Sequence, residues 1–265
     1  GNHDWWDDLT VQREGKGQVF DSLTTCVAHG DLHADNFFVD STHMTWLIDF
    51  EHTGRTHALR DFVELEADIK LRLSAYPDDD LSGLAALERS LLAARSPGDL
   101  LIPAPAVAAD PALLRTFQVL AGLRHLACQA TGITDITEYQ HALLYETLFM
   151  ATLRRLRDNV RTRALLSAAL IVERLTVRSS LRGRVQTAVP RLDPAALERQ
   201  PVTEAIATVR QHLRYLRECH QCAELQKKLY GGLPLPEALR SGLADLDEEG
   251  RRAHNLQEKL RRGGP

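Results

Sequence analysis

The sequence has no apolar stretch long enough to span a bilayer, and no signal peptide opens it, so neither a membrane span nor secretion is expected. It also lacks an excess of either charge. A formal net charge of -4 over 265 residues gives no general attraction to nucleic acid or to an anionic membrane, and neither is an expected partner. Cysteine is scarce. Four stand at 26, 128, 219 and 222, which is no secreted disulfide framework. Cys219-His220-Gln221-Cys222 has no second C-x-x-C to complete a four-ligand zinc site, and no strand-to-helix context for redox chemistry. The expected compartment is the cytosol. What remains is ordinary: 44% hydrophobic and 26% charged residues, in a chain long enough for one large domain or two small ones.

Chemistry concentrates in residues 29–50, HGDLHADNFFVDSTHMTWLIDF. Two short apolar runs, Phe37 to Val39 and Met44 to Ile48, flank the polar Asp40-Ser41-Thr42-His43, which predicts a β-hairpin. A hairpin brings its ends together, so Asn36 at its start and Asp49 at its exit become neighbours, and Asp31 on the preceding loop can face both. A carboxylate and a carboxamide meeting there suit a hard divalent cation such as Mg²⁺. A second carboxylate, not needed by the metal, can take the proton of an attacking hydroxyl.

HGDLHADN followed by LIDFE resembles the aminoglycoside phosphotransferase and choline kinase family, the small-molecule branch of the protein-kinase-like fold. The resemblance implies Asp31 as catalytic base, Asn36 and Asp49 as Mg²⁺ ligands that hold the nucleotide, and His29 and His33 as residues that keep the loop in shape. It also implies Asp61, in ALRDFVELE, as the brace of the catalytic loop, and Glu51 as the family's replacement for the glycine of D-F-G. The cofactors implied are Mg²⁺ and ATP or GTP. The partners implied are that nucleotide and a hydroxyl-bearing acceptor. A kinase-like enzyme also needs a glycine-rich strand pair over the phosphates and a strand lysine. The 28 residues before His29 hold Gly15-Lys16-Gly17 in a polar stretch, read as a solvated turn. The N-terminal ATP lobe is therefore missing from this sequence, which opens on Gly and is expected to be a fragment or a processed chain.

The opening Gly-Asn-His-Asp matches a short signature of calcineurin-like metallophosphoesterases. Its partner motifs are absent, so Asn2, His3 and Asp4 are read as a helix N-cap region, with Trp5 and Trp6 packing on the body. Thr53 to His57 reads as a polar loop beside the site, with His52, Arg55 and His57 solvated. Apolar spacing from 58 to 71 predicts a helix against the catalytic loop. Further helices are expected over 81–94, 112–130, 136–157 and 163–177, with a Pro/Ala-rich loop over 96–111. Asp78, Asp79 and Asp80 read as a capping turn, and His125, Cys128 and His141 as residues without a role. Beyond 180, Asp193-Pro194 reads as an N-cap, and Thr203–Tyr230 and Pro236–Leu260 form a helical hairpin around Gly231-Gly232.

The expected fold is therefore mainly α with a small β-hairpin: a kinase-like C-terminal lobe over 1–180 and a helical tail over 181–265. Three functions stay open. The first is Mg-ATP-dependent phosphoryl transfer to a hydroxyl of a small molecule or other acceptor. The second is a non-catalytic kinase-like module whose tail binds a protein partner, as in kinase-like domains of large bacterial signalling or conflict proteins, which residues 25 to 175 faintly resemble. The third is metal-dependent phosphoester hydrolysis.

Overall fold

The computed structural model describes residues 24–77, 80–180 and 189–262. Among the described residues the protein is mainly helical, with two small antiparallel two-stranded sheets. Asn2 to Trp6, Lys16, Asp78 and Asp79 lie outside the described residues. Those residues form two units, one drawn from 1–85 and 126–181, the other from 86–125 and 182–265.

In the first unit, β1 (Thr25–Ala28) leads into the loop of His29, and β2 (Phe37–Val39) pairs with β3 (Thr45–Leu47) as the hairpin. The turn is built on Asp40, whose Oδ1 accepts from the backbone N of Thr42 at 2.8 Å and of Met44 at 3.1 Å, and from the Thr42 hydroxyl. The stretch expected as a polar loop is instead a strand. Residues Gly54–His57 form β4 and pair with β1, from Thr25 opposite His57 to Ala28 opposite Gly54. His57 is accordingly not solvated. It is buried, with Nε2 2.9 Å from Glu138 Oε1, and its Nδ1 accepts from Leu59 N.

Helix α1 (Arg60–Asp68) runs into a π turn over Ile69–Leu73. Val63, Ala67 and Leu71, four residues apart, form its buried stripe. It packs on α5 (Ile136–Thr152), which in turn packs on α6 (Asp158–Ser180). Fully buried Tyr139 donates its hydroxyl to Glu66 Oε2 at 2.7 Å, and Lys70 Nζ lies 3.7 Å from Glu66 Oε1. A hydrogen-bonded, charge-balanced cluster of this kind is what makes a buried carboxylate tolerable.

Asp80 caps the start of α2 (Ser82–Leu91), accepting from Ser82 N at 2.8 Å. The Pro/Ala stretch expected as a loop contains a short helix, α3 (Pro105–Ala109), with Pro in its first turn, before α4 (Pro111–Thr131). In the second unit, α7 (Pro194–Glu198) starts on Asp193, whose side chain accepts from Ala195 N at 3.0 Å. Helices α8 (Val202–Lys228) and α9 (Glu237–Arg261) pack on each other through Tyr215, Leu216, Cys219 and Ala223 of one and Leu239, Leu246 and Ala253 of the other. Gly231 and Gly232, at φ +53° and +92°, make the turn between them.

The expected tail is not a unit of its own. Leu100 and Ile102 share its core, Gln226 bonds both the N and the O of Leu101 at 2.9 and 2.7 Å, and Tyr215 donates to Pro103 O at 2.7 Å. Residues 86–125 thus group with those after the expected 180/181 boundary. Cys219 and Cys222 are free and buried in this core, and burial pushes their thiols up to about 12 and about 11. His125 is held there by Tyr230 Oη and Gln226 Oε1, so its role is packing.

Candidate functional site

The loop after β1 turns sharply at Gly30, whose φ is +84° and whose missing Cβ would run into the carbonyl of His52. Only glycine fits both demands. The loop is then clamped to α1 by a ladder of carboxylates. Asp61 accepts from His29 N at 2.8 Å through Oδ2 and from Gly30 N at 2.9 Å through Oδ1. Glu64 accepts from Leu32 N at 3.0 Å and Asp68 from Ala34 N at 2.9 Å. Asp61, Glu64 and Asp68 share one helix face by their spacing of three and four, so a single rigid element orders four loop amides. Arg72, one turn on, holds Asp68 with two of its nitrogens and reaches Asp35 Oδ2 at 2.9 Å.

His29 ties this loop to the hairpin exit. Its Nε2 donates to Ile48 O at 2.8 Å, its ring leans on Phe50, and its buried Nδ1 has no partner among the described residues. His33 caps the single 3-10 turn Ala34–Asn36, Nδ1 accepting from Asp35 N at 3.3 Å, and Nε2 stands 3.5 Å from Asp31 Oδ2. Buried Asn36 donates Nδ2 to Asp31 O at 2.8 Å and to Asp31 Oδ2 at 3.3 Å, which turns its amide oxygen away from both. Its backbone carbonyl accepts from Ile48 N at 2.9 Å, so Asn36 and Asp49 sit at one end of the hairpin. Asp49 adopts the left-handed conformation at φ +64°, ψ +63°, exposed and with no side-chain capping bond. Left-handed backbone is uncommon for residues with a Cβ, although Asp tolerates it better than most.

Asp31 opens onto a cavity of about 370 Å³. Asn36, Asp49 and Asp61 do not line it; Asn36 reaches it only through its bonds to Asp31. Its lining includes the acids Asp31, Asp35, Glu64, Asp68 and Glu146 and the apolar Phe149, Met150, Leu153 and Leu156. Burial is the main reason the Glu64 carboxyl is raised, with the Leu32 N–H and Arg60 opposing. Burial likewise pushes Glu146 up to about 8; Glu64 and Asp31 add to this and Arg60 opposes it.

Among the described residues, no three His, Cys, Asp or Glu side chains gather into a metal-holding group. The expected pair, one amide and one carboxylate, could hold a cation only together with oxygens from a ligand or water. Glu64, Asp68, Arg72 and Glu146 are additions to the expected set. The 61, 64, 68 spacing was a readable signal, and so was Glu146, an acid on the stripe Tyr139, Leu143, Met150 that is otherwise core.

The hairpin itself presents Phe38 opposite Trp46, both about half exposed. Trp46 Nε1 donates to Asp40 Oδ2 at 2.8 Å, and the bonds Asp40 accepts hold its carboxyl well below the usual range. A depressed carboxyl supports structure above its ordinary pKa and loses that role as pH falls through its lowered value. Asp40→Ala is therefore expected to loosen Trp46 at neutral pH. The check is a rise in iodide quenching of tryptophan fluorescence that a Trp46→Phe background abolishes; unchanged quenching rejects the tether.

A family model described as ternary complex associated domain 9 matches residues 5–157. No curated protein and no solved structure matches the chain.

Proposed function

The chain belongs to the ternary complex associated domain 9 family, and on that premise we propose that it transfers the γ-phosphoryl group of a Mg²⁺-bound nucleoside triphosphate to a hydroxyl. One observation carries the reading: the amide of Asn36 is bonded to Asp31 while its backbone is bonded to the residue before Asp49, so the base candidate and the segment of the metal-ligand candidates are joined through one residue. That is the grouping phosphoryl transfer needs, an acceptor-side base beside oxygen donors for the phosphate-bound cation.

In this reading Asp31 accepts the proton of the attacking hydroxyl, on the side that faces the cavity. Asn36 Oδ1, turned away from Asp31, and the uncapped carboxylate of Asp49 would hold Mg²⁺. The chemistry supplied by bound Mg²⁺ is neutralisation of the phosphate oxygens. Asp61, Glu64 and Asp68 keep the loop still, so that Asp31 does not have to be ordered when substrate arrives. The kinase-like fold belongs to the same proposal.

Asp49→Ala in the full-length protein is expected to weaken Mg²⁺-dependent ATP binding about tenfold or more, on the scale of one lost interaction. Titration calorimetry with and without Mg²⁺ checks it; equal Mg²⁺-dependent affinity in both proteins would reject Asp49 as a ligand. A second reading, a non-catalytic module within an assembly, draws on the family's description as complex-associated. ATP binding without transfer to any hydroxyl acceptor would favour it.

A further inference from the structure

Glu146 is an acid of the cavity that the proposed transfer does not use and that no described residue engages by a hydrogen bond. It is 6% exposed, lies on the stripe that α5 otherwise gives to the core, and makes no hydrogen bond to any described residue. A buried carboxyl normally has a partner, and one without is costly unless a ligand supplies it. It lines the same cavity as Asp31, so a ligand reaching Asp31 comes within its surroundings.

The other acids are already engaged. Asp35 and Asp68 pair with Arg72, and Glu64 accepts from Leu32 N. The charged groups that act on Glu146 are Glu64 and Arg60 from α1 and Asp31 from the loop; His33 and Arg155 complete the charged lining. Phe149 and Met150, three and four residues after Glu146 on α5, line the cavity beside it. The cavity thus offers an apolar wall, one acid fit to receive a hydroxyl proton, and one unpartnered carboxyl.

We propose that Glu146 selects the acceptor, donating an O–H hydrogen bond to an uncharged polyhydroxylated ring whose C–H face rests on Phe149 and Met150 and whose next hydroxyl meets Asp31. An aromatic ring and a thioether beside polar groups suit such a ring, apolar on its faces and hydroxylated at its edge. Burial keeps the carboxyl protonated around neutral pH, as this bond requires. The inference rests on the phosphotransfer reading only in naming the ligand an acceptor.

The test reads binding without nucleotide, so its failure is separate from a failure of phosphoryl transfer. Saturation-transfer NMR is run on the full-length protein with methyl glucoside, myo-inositol, uridine and spermidine, at about pH 6 and about pH 9.5, either side of the Glu146 carboxyl. At least one uncharged probe is expected to bind at the lower pH and to weaken about tenfold at the higher, following the protonated fraction. Glu146→Gln, which keeps a donor, should bind equally at both, which also shows that the fold survives the higher pH. Glu146→Ala should lose the probe at both. Binding of spermidine alone, strengthening as pH rises, would overturn the proposal in favour of a cationic ligand. So would uncharged-probe binding unchanged in Glu146→Ala, or no binding by any of the four.

Discussion

Asp31→Asn in the full-length protein is expected to cut phosphoryl transfer to a hydroxyl acceptor by about 10²- to 10⁴-fold, the usual contribution of a positioned general base. The substitution is nearly isosteric. Its side-chain oxygen can still accept from Asn36 Nδ2, now at 3.3 Å, and the Asp31 carbonyl that takes the shorter 2.8 Å bond is untouched. Loop shape and nucleotide affinity should therefore stay near those of the parent, with the loss confined to kcat. An Asp31→Asn protein that transfers phosphate at the parental rate would remove Asp31 as base, and with it the functional reading.

The second large effect falls on stability. Asp61→Ala removes the acceptor of two backbone donors at once, His29 N and Gly30 N. Each orphaned, partly buried N–H costs about 1–3 kcal/mol, so about 2–6 kcal/mol is expected in total. The loop cannot readily find other acceptors, because Gly30 is fixed at φ +84° with His52 against it. Asp61→Asn should fall between the two, since one acceptor survives and the new amide meets an N–H. Urea unfolding measures the total, and hydrogen exchange at the His29 and Gly30 amides locates it. A change in Asp61→Ala below about 0.5 kcal/mol, the range of an ordinary surface substitution, would show that the ladder does not hold the loop.

Glu64 and Asp68 are legible in the sequence only as a helical acidic face. In DFVELEAD they follow Asp61 by three and seven residues, a helical face of acids pointing at the loop, but solvated acidic faces are so common that the spacing alone does not single them out. Glu146 is a sharper case. Its place on the Tyr139, Leu143, Met150 stripe says that a carboxyl is buried, and only the assembled unit says that it ends in the Asp31 cavity. The strand Gly54–His57 is hidden in the sequence for a different reason. Four residues with Gly, Arg and two hydroxyl or imidazole side chains carry no alternation of apolar and polar, and their partner β1 lies nearly thirty residues back.

The sequence by itself determined the helices, through apolar repeats three and four residues apart, and the hairpin, through two β-prone runs about a polar turn. It also determined that Asn36 and Ile48, the residue before Asp49, bond across the open end of the hairpin, because hairpin closure is local. Tertiary structure alone decided which backbone amides the α1 acids receive, that His57 is buried, and that residues 86–125 join the tail. These depend on which surfaces meet across long separations. Packing and hydrogen-bond satisfaction settle such meetings jointly, and no short window of sequence contains them.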